Sequence, residues 1–120
     1  MQLVVRAFPI LPEKLERTRE IAKEIATHRA REAAEFYRQF TVAQETWHLQ
    51  ETPQGWWVIA VTQLGEKPVE EAAEEYAELA TGFGRWLKDR AAEITGIDLD
   101  VAPLGPPTEC ILDSSTFYRG

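Results

Sequence analysis

The residue types best suited to chemistry are concentrated in one stretch, Glu45 to Gln63 (ETWHLQETPQGWWVIAVTQ), which holds His48 and three of the four tryptophans. An imidazole exchanges protons near neutral pH. The stretch reads as a β-hairpin, because Thr52-Pro53-Gln54-Gly55 puts proline second and glycine fourth in a tetrapeptide suited to a type I turn closed by a left-handed or bulged glycine. A three-residue loop, 53 to 55, then sets Thr52 opposite Trp56, Gln50 opposite Val58, His48 opposite Ala60 and Thr46 opposite Thr62. Trp47, Leu49, Trp57, Ile59 and Val61 fall on the other face, since side chains alternate with period two. In this register His48 is the candidate general base. Arg6, from a first strand, is its positive counterpart for a developing oxyanion, and Gln50 and Trp56 are candidate ligand contacts. The bland alternative is that these polar groups satisfy one another across a subunit interface.

Other reactive groups are sparse. His28 follows Glu24 by four residues, a spacing that can bind a metal, but no third ligand is indicated and no metal site is expected. The lone Cys110 excludes an intrachain disulfide and reads as a small buried hydrophobe. Serine occurs only at Ser114 and Ser115, so no serine nucleophile arrangement is readable, and no glycine-rich phosphate loop follows a strand. The row Glu70, Glu71, Glu74, Glu75 and Glu78 reads as a solvated helix face.

Net charge is −7 with a pI near 4.9, against the basic footprint that nucleic acid or an anionic membrane surface demands. No apolar run approaches a membrane span and the N-terminus lacks signal-peptide features, so a cytoplasmic location is expected. No cofactor is assigned.

The elements that must position these groups follow from pattern. Gln2 to Phe8 is a first strand, with Leu3, Val5 and Ala7 on one face and Gln2, Val4, Arg6 and Phe8 on the other. Pro12 suits a first helical position, and helical spacing runs through Leu15, Ile21, Ile25, Ala33, Tyr37 and Phe40, either unbroken or bent near Thr27-His28. Pro68 opens the next helix, Thr81 to Gly84 interrupts it, and Gly96 ends it. Residues 97 to 120 form an extended C-terminal segment of a single domain spanning 1 to 120, with Glu109 to Asp113 as a short fourth strand and Ser114 onward as an arm. This order is βαββαβ, an α+β ferredoxin-like sandwich. Its uncovered sheet face would carry Val4, Phe8, Trp56, Val58 and Ala60, too apolar to stay wet, which predicts a homodimer through sheet faces.

WHLQETPQGWWVIAV, RWLKDRAAEITGIDL and REAAEFYRQF resemble a family of small uncharacterised bacterial proteins within the dimeric α+β barrel superfamily. That resemblance implies two ferredoxin-like subunits packed sheet to sheet. The superfamily includes cofactor-free monooxygenases, cyclases, haem-binding enzymes and small-molecule sensors, and none of their catalytic motifs can be laid on this chain. In it the space between helices and sheet often holds the ligand. Here that space would be lined by Phe36, Tyr37, Phe40, Trp47, Trp57, Tyr76, Phe83 and Trp86, with Tyr37, Tyr76 and Trp86 as polar handles for an apolar or aromatic compound. The expected function is therefore small-molecule binding, with cofactor-free oxygenation or cyclisation as its chemistry. The alternative is a non-catalytic structural or sensor protein whose sheet face serves only dimerisation.

Overall fold

In the computed structural model, which describes residues 2 to 118, three antiparallel strands are backed on one face by four helices. The strands are β1 (Gln2–Pro9), β2 (Val42–Thr52) and β3 (Gly55–Leu64), ordered β1-β3-β2. The helices are α1 (Leu15–Ala26) and α2 (Ala30–Gln39) between β1 and β2, and α3 (Val69–Glu78) and α4 (Gly82–Thr95) after β3. This α+β arrangement is compatible with a ferredoxin-like fold. No helix among the described residues is long and apolar enough to cross a membrane.

The hairpin register differs by one residue from the expected one. Gly55 is not a loop residue. It takes a strand position with φ 125° opposite Thr52, leaving Pro53 and Gln54 as a two-residue turn. The Thr52 hydroxyl holds this geometry by donating to the Gly55 carbonyl at 2.7 Å and accepting from the Gln54 amide at 3.3 Å. His48 consequently faces Ile59, and Trp47 faces Ala60. A one-residue slip moves a whole strand's side chains to the other face. Trp57, Ile59 and Val61 therefore leave the face of Trp47 and Leu49 and join His48 and Gln50.

The covered and uncovered faces are assigned accordingly, and the expectation for them reverses. Val4, Phe8, Val58 and Ala60 point toward the helices, while Leu3, Val5, Ala7, Trp57, Ile59 and Val61 form the helix-free face. A bulge between Val42 and Gln44 adds one residue to β2. It allows both Val42 and Glu45 to face the helices, where strict alternation would separate them.

The helix boundaries have local causes. Pro12 lies in a turn ahead of α1 rather than at its first position, and the next residue, Glu13, has φ 68°. Of the two possibilities at Thr27-His28, the break occurs. The Arg29 amide donates back to the Glu24 carbonyl at 2.9 Å while its guanidinium pairs with the Glu24 carboxylate at 2.7 Å, and α2 starts at Ala30. Gly65 lies so close to the Thr41 carbonyl that a Cβ would be 2.8 Å from it, so only glycine fits. The interruption between α3 and α4 falls at Leu79 to Thr81, and Gly96 ends α4 in the left-handed region, φ 74°.

Among the described residues the tail forms no fourth strand. Residues 109 to 113 make no ladder, in a segment entered through Pro103, Pro106 and Pro107, which lack the amides a ladder needs. Leu99 is buried, Gly105 lies against the Phe8 ring where a Cβ would clash, and the Thr108 hydroxyl donates to the Val5 carbonyl at 2.5 Å. Beyond that point Cys110 is exposed, contrary to its expected burial, as are Ile111, Leu112, Phe117 and Tyr118. Ser114–Tyr118 forms a 3₁₀ turn, and the last two residues of the expected arm lie outside the described residues.

The core lies between the sheet and the helices. Phe36 is its aromatic hub, with ring centroids 4.9 Å from Phe40, 5.3 Å from Phe83, 5.4 Å from Tyr76 and 5.5 Å from Tyr37. Lys88, only 1% exposed, ties α3, α4 and the tail together. Its ammonium donates to the Ala77 and Leu79 carbonyls at 3.1 and 2.8 Å, satisfying acceptors at the end of α3, and to Asp100 at 2.9 Å. Lys88→Met leaves those two carbonyls without their donor. It should cost about 2–4 kcal/mol, read as a lower urea midpoint with an unchanged m-value.

Candidate functional site

A cavity of about 170 Å³ lies between the helix-facing side of the sheet and the helices. Its floor owes its depth to one small residue. Ala60 stands in register between Arg6 on β1 and Trp47 on β2, so two long side chains flank a methyl group. The roof is made by Phe36, Tyr37, Tyr76, Leu87 and Ile94, and one wall by Pro103 and Leu104 of the tail. Most of this lining is apolar, and the exceptions define the site.

Glu45 is the one carboxylate lining the cavity among the described residues. Its Oε2 accepts from the Tyr37 hydroxyl at 2.7 Å and the Trp47 indole N–H at 3.0 Å, and its Oε1 accepts from the Thr62 hydroxyl at 2.8 Å. Three donors hold the carboxylate in one orientation while Oε1 keeps accepting capacity. The Tyr76 ring is 8% exposed, and its hydroxyl has no hydrogen-bond partner. On the far side of the floor, Arg6 has a buried Nε without a partner, while its Nη1 donates to the adjacent Val5 carbonyl at 2.9 Å. Arg90, at another point of the lining, likewise has a buried Nε without a hydrogen-bond partner. A buried polar group left unpaired is costly, so three around one cavity set it apart from a packed apolar core.

Burial and charge act on these groups in a consistent sense. The Tyr37 phenol is pushed well above the usual tyrosine range by burial, by the nearby Glu45 charge and by its hydrogen bond to that carboxylate. Tyr76 is pushed the same way by burial, with Glu45 adding to it. Burial lowers the Arg6 pKa, disfavouring its charged form. Both phenols are thus neutral donors facing a carboxylate, an arrangement suited to orienting a hydroxyl or carbonyl and to accepting a proton at Glu45.

The expected site residues divide into three groups. Arg6, Tyr37 and Tyr76 line the cavity. His48 and Gln50 lie on the opposite face of the sheet, exposed, with the His48 Nε2 2.9 Å from the Thr46 hydroxyl. Gln50 shares a shallow depression there with Ala7, Trp57 and Ile59. His48 and Arg6 therefore do not meet, being on opposite sides of one sheet. Trp56 points to the helix side near the hairpin end, beneath the Arg19 guanidinium at 5.9 Å. Trp86 is in the helix layer against Phe83, with the Arg29 guanidinium 4.3 Å from its ring, outside the cavity lining. Of the eight expected rings, Trp57 alone moves to the helix-free face.

Glu45, Thr62 and Trp47 as a hydrogen-bonding unit were not legible as a site. The available signal was parity: Glu45 alternates with Trp47 and Leu49, an acid in the pattern of a buried face. No group of three or more histidine, cysteine or acidic side chains placed to share a metal occurs among the described residues. In comparison with known proteins, the chain matches no family model, no curated protein and no solved structure.

Because Tyr37 and Tyr76 have raised pKa values in the fold, their contribution to stability is intact below the unfolded-state value of roughly 10 and declines as pH rises above it. Tyr37→Phe and Tyr76→Phe should each flatten that alkaline loss. The check is urea unfolding from neutral to alkaline pH beside phenolate absorbance, which should show both phenols ionising only as the protein unfolds.

Proposed function

We propose that this protein binds a small, largely apolar or aromatic compound in the cavity between its sheet and its helices. The observation that carries this reading is the polar arrangement inside an apolar chamber: one carboxylate fixed by three donors, and a buried tyrosine hydroxyl with no partner. A packed core gains nothing from such groups, whereas a binding site uses them to orient its ligand. Turnover without a cofactor would begin with proton transfer from an activated O–H or C–H to Glu45, leaving a carbanion or phenolate that cyclises or that is oxygenated by dioxygen as co-substrate. In this reading Glu45 replaces His48 as the general base, with Tyr37 and Tyr76 as hydrogen-bond donors.

Ala60→Phe tests the site directly, because the added ring occupies the floor between Arg6 and Trp47. Binding of small aromatic probes, followed by calorimetry or quenching of tryptophan fluorescence, should be lost in Ala60→Phe and unchanged in His48→Ala. The reverse pattern would move the site to the other face of the sheet.

A second reading concerns that other face and is compatible with the first. Leu3, Val5, Ala7, Trp57, Ile59 and Val61 form an apolar surface with no helix over it, and Leu3 is 64% exposed. We propose that it pairs with the same face of a second copy, as in an α+β barrel, with Thr46, His48 and Gln50 at the edge of the contact. Light scattering should give a dimer for the wild type and a monomer for Val61→Glu. A monomeric wild type at micromolar concentration removes this reading.

A further inference from the structure

Arg6 is the anomaly among the arginines. Every other half-buried arginine of the described residues has a carboxylate within ion-pair distance: Arg17 has Glu93 at 2.8 Å, Arg29 has Glu24 at 2.7 Å and Arg85 has Asp100 at 2.7 Å. Arg90, which also borders the cavity, has Glu93 at 3.0 Å, so its charge is compensated although its Nε is not aligned for a hydrogen bond. Arg6 makes no ion pair among the described residues, in a chain with 20 acidic against 13 basic residues. An uncompensated cation beside an apolar cavity is destabilising unless something supplies the countercharge. Acidic side chains are abundant, yet the one carboxylate lining the cavity, Glu45, is held by Tyr37, Trp47 and Thr62 and makes no ion pair with Arg6.

Resting on the reading of the cavity as a binding site, we infer that its ligand is an organic monoanion: an aromatic body with a carboxylate at the Arg6 end and a hydroxyl at the Tyr76–Glu45 end. One guanidinium matches one carboxylate in charge and in its planar, two-pronged hydrogen bonding. At the other end, the unpartnered Tyr76 hydroxyl can donate to a ligand oxygen while Glu45 Oε1 accepts that oxygen's proton. The two ends are separated by the width of the sheet. β1 and β2 flank β3, so their side chains start about 10 Å apart, a span suited to a phenol ring carrying a short acid chain. The negative end cannot sit at Glu45, where like charge repels it. The ligand's orientation is thereby set.

The test uses the full-length chain and three probes of one shape: 3-(4-hydroxyphenyl)propanoate, its methyl ester, and 3-phenylpropanoate. Calorimetry on the wild type should show the hydroxy acid binding at least tenfold tighter than its ester, as expected for a charge-assisted pair shielded from water, and several-fold tighter than 3-phenylpropanoate. Arg6→Met should bring the acid down to the ester's affinity while the ester itself still binds, which also reports that the cavity has folded. Arg6→Lys should keep part of the preference for the acid, and Tyr76→Phe should remove only the preference for the hydroxyl. Equal binding of acid and ester by the wild type, or an acid preference that survives in Arg6→Met, overturns the anion assignment and leaves the cavity as a site for neutral compounds. Failure of all three probes to bind, with the same result for neutral aromatics, overturns the binding reading as well.

Discussion

The pairing of Thr52 with Gly55 is the contact on which the rest of the structure depends. It decides which half of each hairpin strand is buried. With a two-residue turn, Glu45, Trp47 and Leu49 share a face with Trp56, Val58, Ala60 and Thr62, and β1 adds Val4, Arg6 and Phe8 to it. The helices cover that face. Were Gly55 looped out, Glu45 would lose Thr62 as its cross-strand neighbour, and Ala60 would no longer separate Arg6 from Trp47. Both the cavity and its carboxylate clamp thus rest on a short turn fixed by a threonine hydroxyl.

The helix layer is held to this sheet by two kinds of force. The aromatic hub around Phe36 supplies non-directional burial, and Lys88 supplies direction by linking the end of α3 to α4 and Asp100. Arg85 reinforces the same carboxylate, and these two cations hold the Asp100 carboxyl below its usual range. Arg17 joins α1 to α4 through Glu93. The helices are therefore fixed relative to one another as well as to the sheet, which keeps the roof of the cavity over its floor.

Much of the architecture was legible in the sequence because it depends on local pattern. β1, the hairpin, the helix after Pro68 and the Gly96 stop follow from alternation, proline and glycine, and helical spacing, whereas the spacing leaves open whether the first helical stretch breaks at Thr27-His28. The faces of the hairpin were not legible from the turn alone, since Thr-Pro-Gln-Gly is compatible with loops of two or three residues and one residue reverses every inference about burial. The missing fourth strand had a compositional warning in Pro103, Pro106 and Pro107, outweighed by the apolar look of Cys110-Ile111-Leu112. Of the site, Tyr37 and Tyr76 could be found from ring content, while Arg6 is expected to partner His48 on the uncovered face and lies instead on the helix side. Glu45 could not be found, because an acid next to a tryptophan reads as surface unless the register is known. His48 drew attention by residue type, and type alone says nothing about which side of a sheet a side chain occupies.

The wall formed by Pro103 and Leu104 sets the cavity apart from a fully enclosed core. Three sides of the chamber are built from ladders and helices, whose backbone bonds open only with large parts of the fold. The fourth is a stretch of irregular chain seated on Phe8 through Gly105 and tied to β1 through Thr108. Its opening would disrupt few bonds, so under the proposed binding reading a molecule in the cavity would exchange there on the timescale of a local loop motion rather than of global unfolding. For the proposed ligand, residence time and selectivity would then be governed by different parts of the chain: selectivity by the strands and helices, residence by the proline-rich tail.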